Sequence, residues 1–136
     1  MIQIAILGST KTALEYAHTT LDKTPSARIT VYTEDAEVGF PEAPLSEELV
    51  LSELIDSIPN NWYSSIPEGI DWDTPSSSAS PWLSKSMAIR LASRGGRFLL
   101  HTTILNIDED RQEISFRGGG MVKSGIDPYD ELYDFR

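Results

Sequence analysis

Gly8, Thr10 and Ala13 have the spacing of a turn that carries backbone amides up to a pyrophosphate, and Glu34 and Asp35 follow where a ribose would be met. In a dinucleotide-binding strand-helix-strand unit the first glycine makes the sharp turn and the second lets the backbone approach the phosphates. The third position, glycine or alanine, lets the helix pack closely on the strand. Gly8 and Ala13 meet the first and third requirements, with Ser9 and Thr12 between and beside them. Thr10 stands where the second glycine is expected, and its side chain either blocks the phosphate or replaces the close approach with a hydroxyl hydrogen bond. An acid about 20 residues beyond the turn accepts hydrogen bonds from the adenosine ribose; Glu34 fills that place, with Asp35 as its neighbour. The plainer alternative is the first turn of any parallel sheet followed by ordinary strand-end acids.

The elements that must position these residues are legible around them. Met1–Leu7 is apolar enough for a parallel strand buried on both faces. The helix after the turn places Leu14, Ala17, His18 and Leu21 on one stripe and stops near Lys23, before Thr24-Pro25. Arg28–Thr33 is a β-branched and aromatic second strand. Residues 1–35 therefore read as one βαβ unit. Glu37–Pro44 is a Pro-interrupted loop, after which Ser46 can cap a short helix with Leu51, Leu54, Ile55 and Ile58 on its buried stripe. Residues 60–80 read as a long irregular loop holding Trp62, Tyr63 and Trp72. Ser80-Pro81 is a helix start, Gly95-Gly96 its stop, and Arg97–Ile107 a single strand that forms a β-hairpin with Gln112–Arg117 across Asp108–Asp110. Residues 118–136 read as a tail, acidic and aromatic, suited to docking on another surface.

Two blocks, residues 1–40 and 81–117, together resemble the amino-terminal segment of the FAD-dependent oxidoreductases built on the glutathione-reductase-like fold, a superfamily that includes monooxygenases, lycopene cyclases and geranylgeranyl reductases. The resemblance implies an α/β, Rossmann-like FAD/NAD(P)-binding domain with a short, mostly parallel sheet, its first strand central, helices on both faces and an added hairpin. It also implies that the adenine lies against the backbone of Thr103 and Ile104. Members of that superfamily continue through a second motif containing Gly-Asp and a substrate domain. The chain ends at Arg136 without either, so a single truncated domain over residues 1–136 is expected.

Composition limits the function classes. With 11 Lys and Arg against 21 Asp and Glu, the net charge of -10 opposes nucleic acid and anionic membranes as partners. No cysteine is present, which excludes disulfides, thiolate metal sites and thiol catalysis. No apolar run is long enough to span a bilayer and no secretory leader is visible, so a soluble cytoplasmic protein is expected.

Three readings follow. The chain is an FAD-binding module whose catalysis needs a partner chain or a second copy, since hydride chemistry belongs to the flavin. Alternatively it is a cofactor-free binding or regulatory module, as Thr10 and the tail suggest, with a protein partner or a homo-oligomer as its context. The third reading is an NAD-binding oxidoreductase fragment, with NAD favoured over NADP because Glu34 repels a 2′-phosphate. His18 and His101 have no partners at metal-ligand spacing and no catalytic set beside them. Arg90, Arg94 and Arg97 either meet a phosphate or form a solvated helix end.

Overall fold

A computed structural model describes residues 1–38, 48–64, 71–119 and 121–136. Most of the Glu37–Pro44 loop, Ser46, part of the 60–80 loop and Gly120 lie outside the described residues, and the short helix expected to be capped by Ser46 instead starts at Leu51 with Val50 as its cap residue and no side-chain cap. Strands β1 (Gln3–Leu7), β2 (Arg28–Tyr32), β3 (Arg97–Leu99) and β7 (Glu131–Asp134) form a sheet in the order β3-β2-β1-β7, every neighbouring pair parallel. Strands β4 (Thr103–Asp108), β5 (Glu113–Arg117) and β6 (Gly125–Pro128) form a separate antiparallel meander.

The period of two in β1 sorts its side chains between two cores. Ile4 and Ile6 join Ile29 and Val31 of β2 under α1 (Lys11–Lys23), α2 (Leu51–Asp56) and α3 (Ala79–Ser93). Ala5 and Leu7 join Tyr32 on the opposite face, where Ile114, Phe116 and Tyr129 of the meander cover them. The expectation of helices on both faces is therefore corrected: among the described residues the helices pack into one core, and the meander forms the other. Burial on both faces is what the unbroken apolar run of β1 requires.

The predicted single strand over Arg97–Ile107 is also corrected. It divides at Leu100–Thr102 into β3, which extends the parallel sheet, and β4, which opens the meander. His101 makes the corner with φ of 50°. The β4–β5 hairpin forms as expected, and β6 extends it. The tail is no free docking segment, because β6 and β7 lie within it and β7 pairs in parallel with β1 from Ile4↔Glu131 to Leu7↔Asp134. Its aromatic side chains dock internally: Tyr133 and Phe135 lie 4.6 and 5.6 Å from the Tyr16 ring of α1. Helix α3 starts at Ala79 with Ser78 as its cap residue, so Pro81 falls within the first turn, where its missing N–H costs nothing.

A polar cluster built on the buried His18 and reaching the surface at Asp22 fastens α1 to α3. Arg94 donates to His18 Nδ1 at 2.9 Å, and because arginine has no acceptor, His18 is the tautomer whose Nε2–H donates to Met87 O at 2.9 Å. Arg94 also pairs with Asp22 at 2.7 Å, and Asp22 accepts from Asn61 and from the Trp62 indole at 2.9 and 2.7 Å. Trp62 stacks on the His18 ring at 5.9 Å. The three arginines considered for a phosphate do not converge, since Arg90 donates to Asn61 O, Arg94 to His18 and Asp22, and Arg97 to Asp127.

Candidate functional site

The carboxyl end of β1 is where the sheet turns into its first helix, and Gly8 makes that turn with φ of +103°. Its N–H donates to Tyr32 O at 2.8 Å, tying it to β2. On the other side a Cβ at Gly8 would stand 3.2 Å from the Phe135 carbonyl carbon and 3.4 Å from Arg136 N. Positive φ and the close passage of β7's end both require glycine here.

Thr10 departs from the glycine pattern because it has another task. It is the N-cap of α1, extended at φ -66° and ψ 162°, and its side chain accepts from Ala13 N at 3.2 Å. Of the amides left without intrahelical partners at this end, Ala13's is thus satisfied, whereas no protein acceptor is recorded among the described residues for those of Lys11 and Thr12. Ala13 is buried in the core below, and Thr12 is exposed. Lys11 occupies the first helical position, a cation at the positive end of the dipole, and no acid stands in the first turn to offset it.

Hydroxyls stitch this turn to the end of β2. Ser9 Oγ lies 3.1 Å from Thr33 Oγ1 and donates to Asp35 Oδ2 at 3.1 Å, while Asp35 N donates to Thr33 Oγ1 at 3.1 Å. Thr33 and Asp35, two residues apart, therefore both meet the turn. Glu34 between them is exposed. Leu100–Thr102 brackets the same place, since His101 N donates to Asp35 O at 3.0 Å and Thr102 N to Thr33 O at 2.9 Å. Thr103 follows directly as the first residue of β4, half-buried, while Ile104 packs against the meander core.

The structure thus joins Ser9, Thr33 and Asp35 in one hydrogen-bonded group beside Gly8 and Thr10, with Thr12 and Ala13 in the first turn of α1 and Thr103 beside the strap that holds Thr33. Three residues not foreseen from the sequence belong here. Thr33 was hidden as a strand residue, although its parity with Asp35 was readable. Lys11, the first residue of α1, carries no spacing signal of its own. Arg136 arrives only because β7 inserts beside β1, a long-range pairing with no local signal. Its guanidinium grips Asp134 through both carboxylate oxygens at 3.0 and 2.9 Å. These bonds hold the Asp134 carboxyl below its usual pKa and raise that of Arg136. The mouth accordingly carries Glu34, Asp35 and Asp134 against Lys11 and Arg136. Among the described residues no group of three or more His, Cys, Asp or Glu is placed to hold a metal, and no helix is long and apolar enough to cross a membrane.

No protein-family model matches the chain, and no curated protein sequence matches it. Solved structures do. A pyridine nucleotide-disulfide family oxidoreductase from Enterococcus faecalis V583 superposes with a TM-score of 0.57 at 17% identity, over 98% of this chain and 22% of its own. The flavin-dependent halogenase CmlS gives 0.59 at 18% identity, over 96% and 28%. A geranylgeranyl bacteriochlorophyll reductase-like protein from Thermoplasma acidophilum gives 0.62 at 11% identity, over 98% and 39%. The chain therefore spans between about a fifth and two-fifths of the length of these neighbours. A parallel sheet with helices on one face and a meander on the other is the Rossmann-like FAD/NAD(P)-binding fold, which the chain shares with these structures.

Proposed function

We propose that the chain is a dinucleotide-binding module, with FAD as its first-choice ligand, whose pyrophosphate sits at the start of α1. The observation that carries this reading is the left-handed turn at Gly8, at the carboxyl end of an interior parallel strand, opening onto a helix whose Lys11 and Thr12 amides have no recorded protein acceptor. Such an end offers N–H groups and a positive dipole to a phosphate, and Lys11 adds a full charge. Ser9, Thr10, Thr12 and Ala13 shape the turn. Glu34 and Asp35 take the ribose hydroxyls, with Thr33 beside them, and the adenine lies along Thr103 and Ile104. When bound, the flavin would supply the redox chemistry; this chain's residues bind and orient it, and catalysis draws on a partner chain or a second copy. The fit to a dianion rests on Lys11, Arg136 and the helix amides outweighing three nearby acids.

That acid excess, together with the engagement of the Thr10 hydroxyl by Ala13 N, favours one second reading, a cofactor-free binding module on the same scaffold. An NAD-binding fragment uses the same turn. The cytoplasm is the proposed compartment, with neither nucleic acid nor membrane as a partner. A thermal-shift panel separates the readings. The proposal expects a rise in melting temperature with FAD that exceeds the rise with NADH. A larger rise with NADH selects the NAD reading, and no rise with either selects the cofactor-free module.

A further inference from the structure

Toward the amino ends of β1 to β3, a cleft of about 400 Å³ opens between the parallel sheet and β6 of the meander. That volume lies within the range of small-molecule sites, about 300–1,000 Å³. Gln3, Arg28, Tyr32, Gly95, Arg97 and Asp127 line it. Two guanidiniums in one cleft are notable in a chain that has only 11 basic residues and a net charge of -10.

The two arginines differ in how they are held. Arg97 pairs with Asp127, and Asp127 also accepts from the Tyr32 hydroxyl at 2.7 Å, so one carboxylate fixes a guanidinium and a phenol in the cleft wall. Arg28 has no carboxylate partner among the described residues; its recorded contact is from Nε to the Met1 sulfur at 2.8 Å, a weak acceptor. Its Nη groups are therefore open to an external acceptor. On the side of Gly95 the cleft is open, since a Cβ there would meet nothing within 4 Å. A guanidinium fork matches carboxylate and phosphate oxygens two at a time.

We propose that this cleft is a second binding site, for a small oxyanion-bearing molecule such as a phosphate ester or carboxylate, gripped by Arg28 with Arg97 as the pre-oriented second donor. Its arginines lie toward the other end of the sheet from the Gly8 turn, with Tyr32 between the two places: its hydroxyl reaches Asp127 in the cleft wall and its carbonyl accepts from Gly8 N.

The test is an amide NMR titration of the full chain with inorganic phosphate and, separately, acetate, each against matched chloride. Saturable shifts at Gln3, Arg28, Gly95 and Arg97 with either anion but not with chloride are expected, and the stronger of the two identifies the ligand class. Arg28→Gln should weaken that anion about tenfold, the loss of one charge-assisted contact, with the melting temperature unchanged. Arg97→Gln should weaken it similarly; should that variant unfold by releasing Asp127, Arg28→Gln decides alone. Shifts confined to the Gly8 turn, shifts that chloride reproduces, or unchanged affinity in Arg28→Gln would each overturn the proposal.

Discussion

Thr10 is where the chemistry of the turn is decided. Its hydroxyl occupies Ala13 N, an amide that glycine would leave open to an anion. Thr10→Gly should therefore strengthen FAD binding several-fold while costing only a few tenths of a kcal/mol, because glycine is a tolerable N-cap, whereas Thr10→Ala should cost about 1 kcal/mol. Fluorescence titration and thermal melts of the two variants check both signs. Lys11 makes a prediction in which stability and binding move oppositely. Lys11→Glu should stabilise α1 by about 0.3–1 kcal/mol, since it replaces a cation with an anion at the positive helix end, and should weaken FAD at least tenfold. If affinity is unaffected, the phosphates do not sit over this helix. Gly8 has little freedom: Gly8→Ala should cost about 1–2 kcal/mol from left-handed strain, before any displacement of Phe135, and chemical denaturation measures it.

Local pattern and long-range pairing divide what could be read of the elements. The stripe Leu14, Ala17, His18 and Leu21 is buried as its spacing demands, and β1, α1 and β2 fall where turn and periodicity place them. The break at Leu100–Thr102 was unreadable because Phe98 to Ile107 is uniformly strand-like, and the corner rests on a left-handed His101 rather than on a glycine or proline. The place of β7 was equally hidden. Glu131 to Asp134 reads as acidic surface until Leu132 is set against the meander core and Tyr133 against α1. For the candidate site, Gly8 and Ala13 were legible by spacing, whereas Asp134 and Arg136 depended on that insertion. Burial lowers the pKa of His18 from 6.5; the Met87 hydrogen bond opposes this, Arg94 and Arg90 lower it further, and Asp22 works the other way. A group whose folded pKa is depressed makes the unfolded chain the better proton binder, so its stabilisation is present above 6.5 and declines as pH falls below it. Melts between neutral and mildly acidic pH should show this decline, and His18→Gln should flatten that part of the profile at the cost of lower stability at neutral pH.

At the scale of the molecule, two cores share one central sheet, and β7 joins them: Tyr133 and Phe135 pack on the helical core and Leu132 on the meander core. Removing residues 127–136 should therefore abolish cooperative unfolding, which circular dichroism would report, instead of merely detaching a partner. Charge is arranged along the same axis. The mouth at the carboxyl ends of the strands gathers Glu34, Asp35 and Asp134, while Arg28 and Arg97 line one cleft toward the amino ends. A dinucleotide at the mouth must then be held by the helix amides, Lys11 and Arg136 against that acidity, so its affinity should fall as added salt screens the two cations. The solved structures that share the fold are several times longer, and this chain matches only about a fifth to under a third of their lengths. The most direct measurement is titration of free FAD with the purified protein, followed by flavin fluorescence and then by the visible spectrum of the desalted complex. Saturable quenching with flavin retained in equimolar amount, and lost in Lys11→Glu, is the expected result. Unchanged flavin fluorescence over a protein that melts cooperatively would contradict the account.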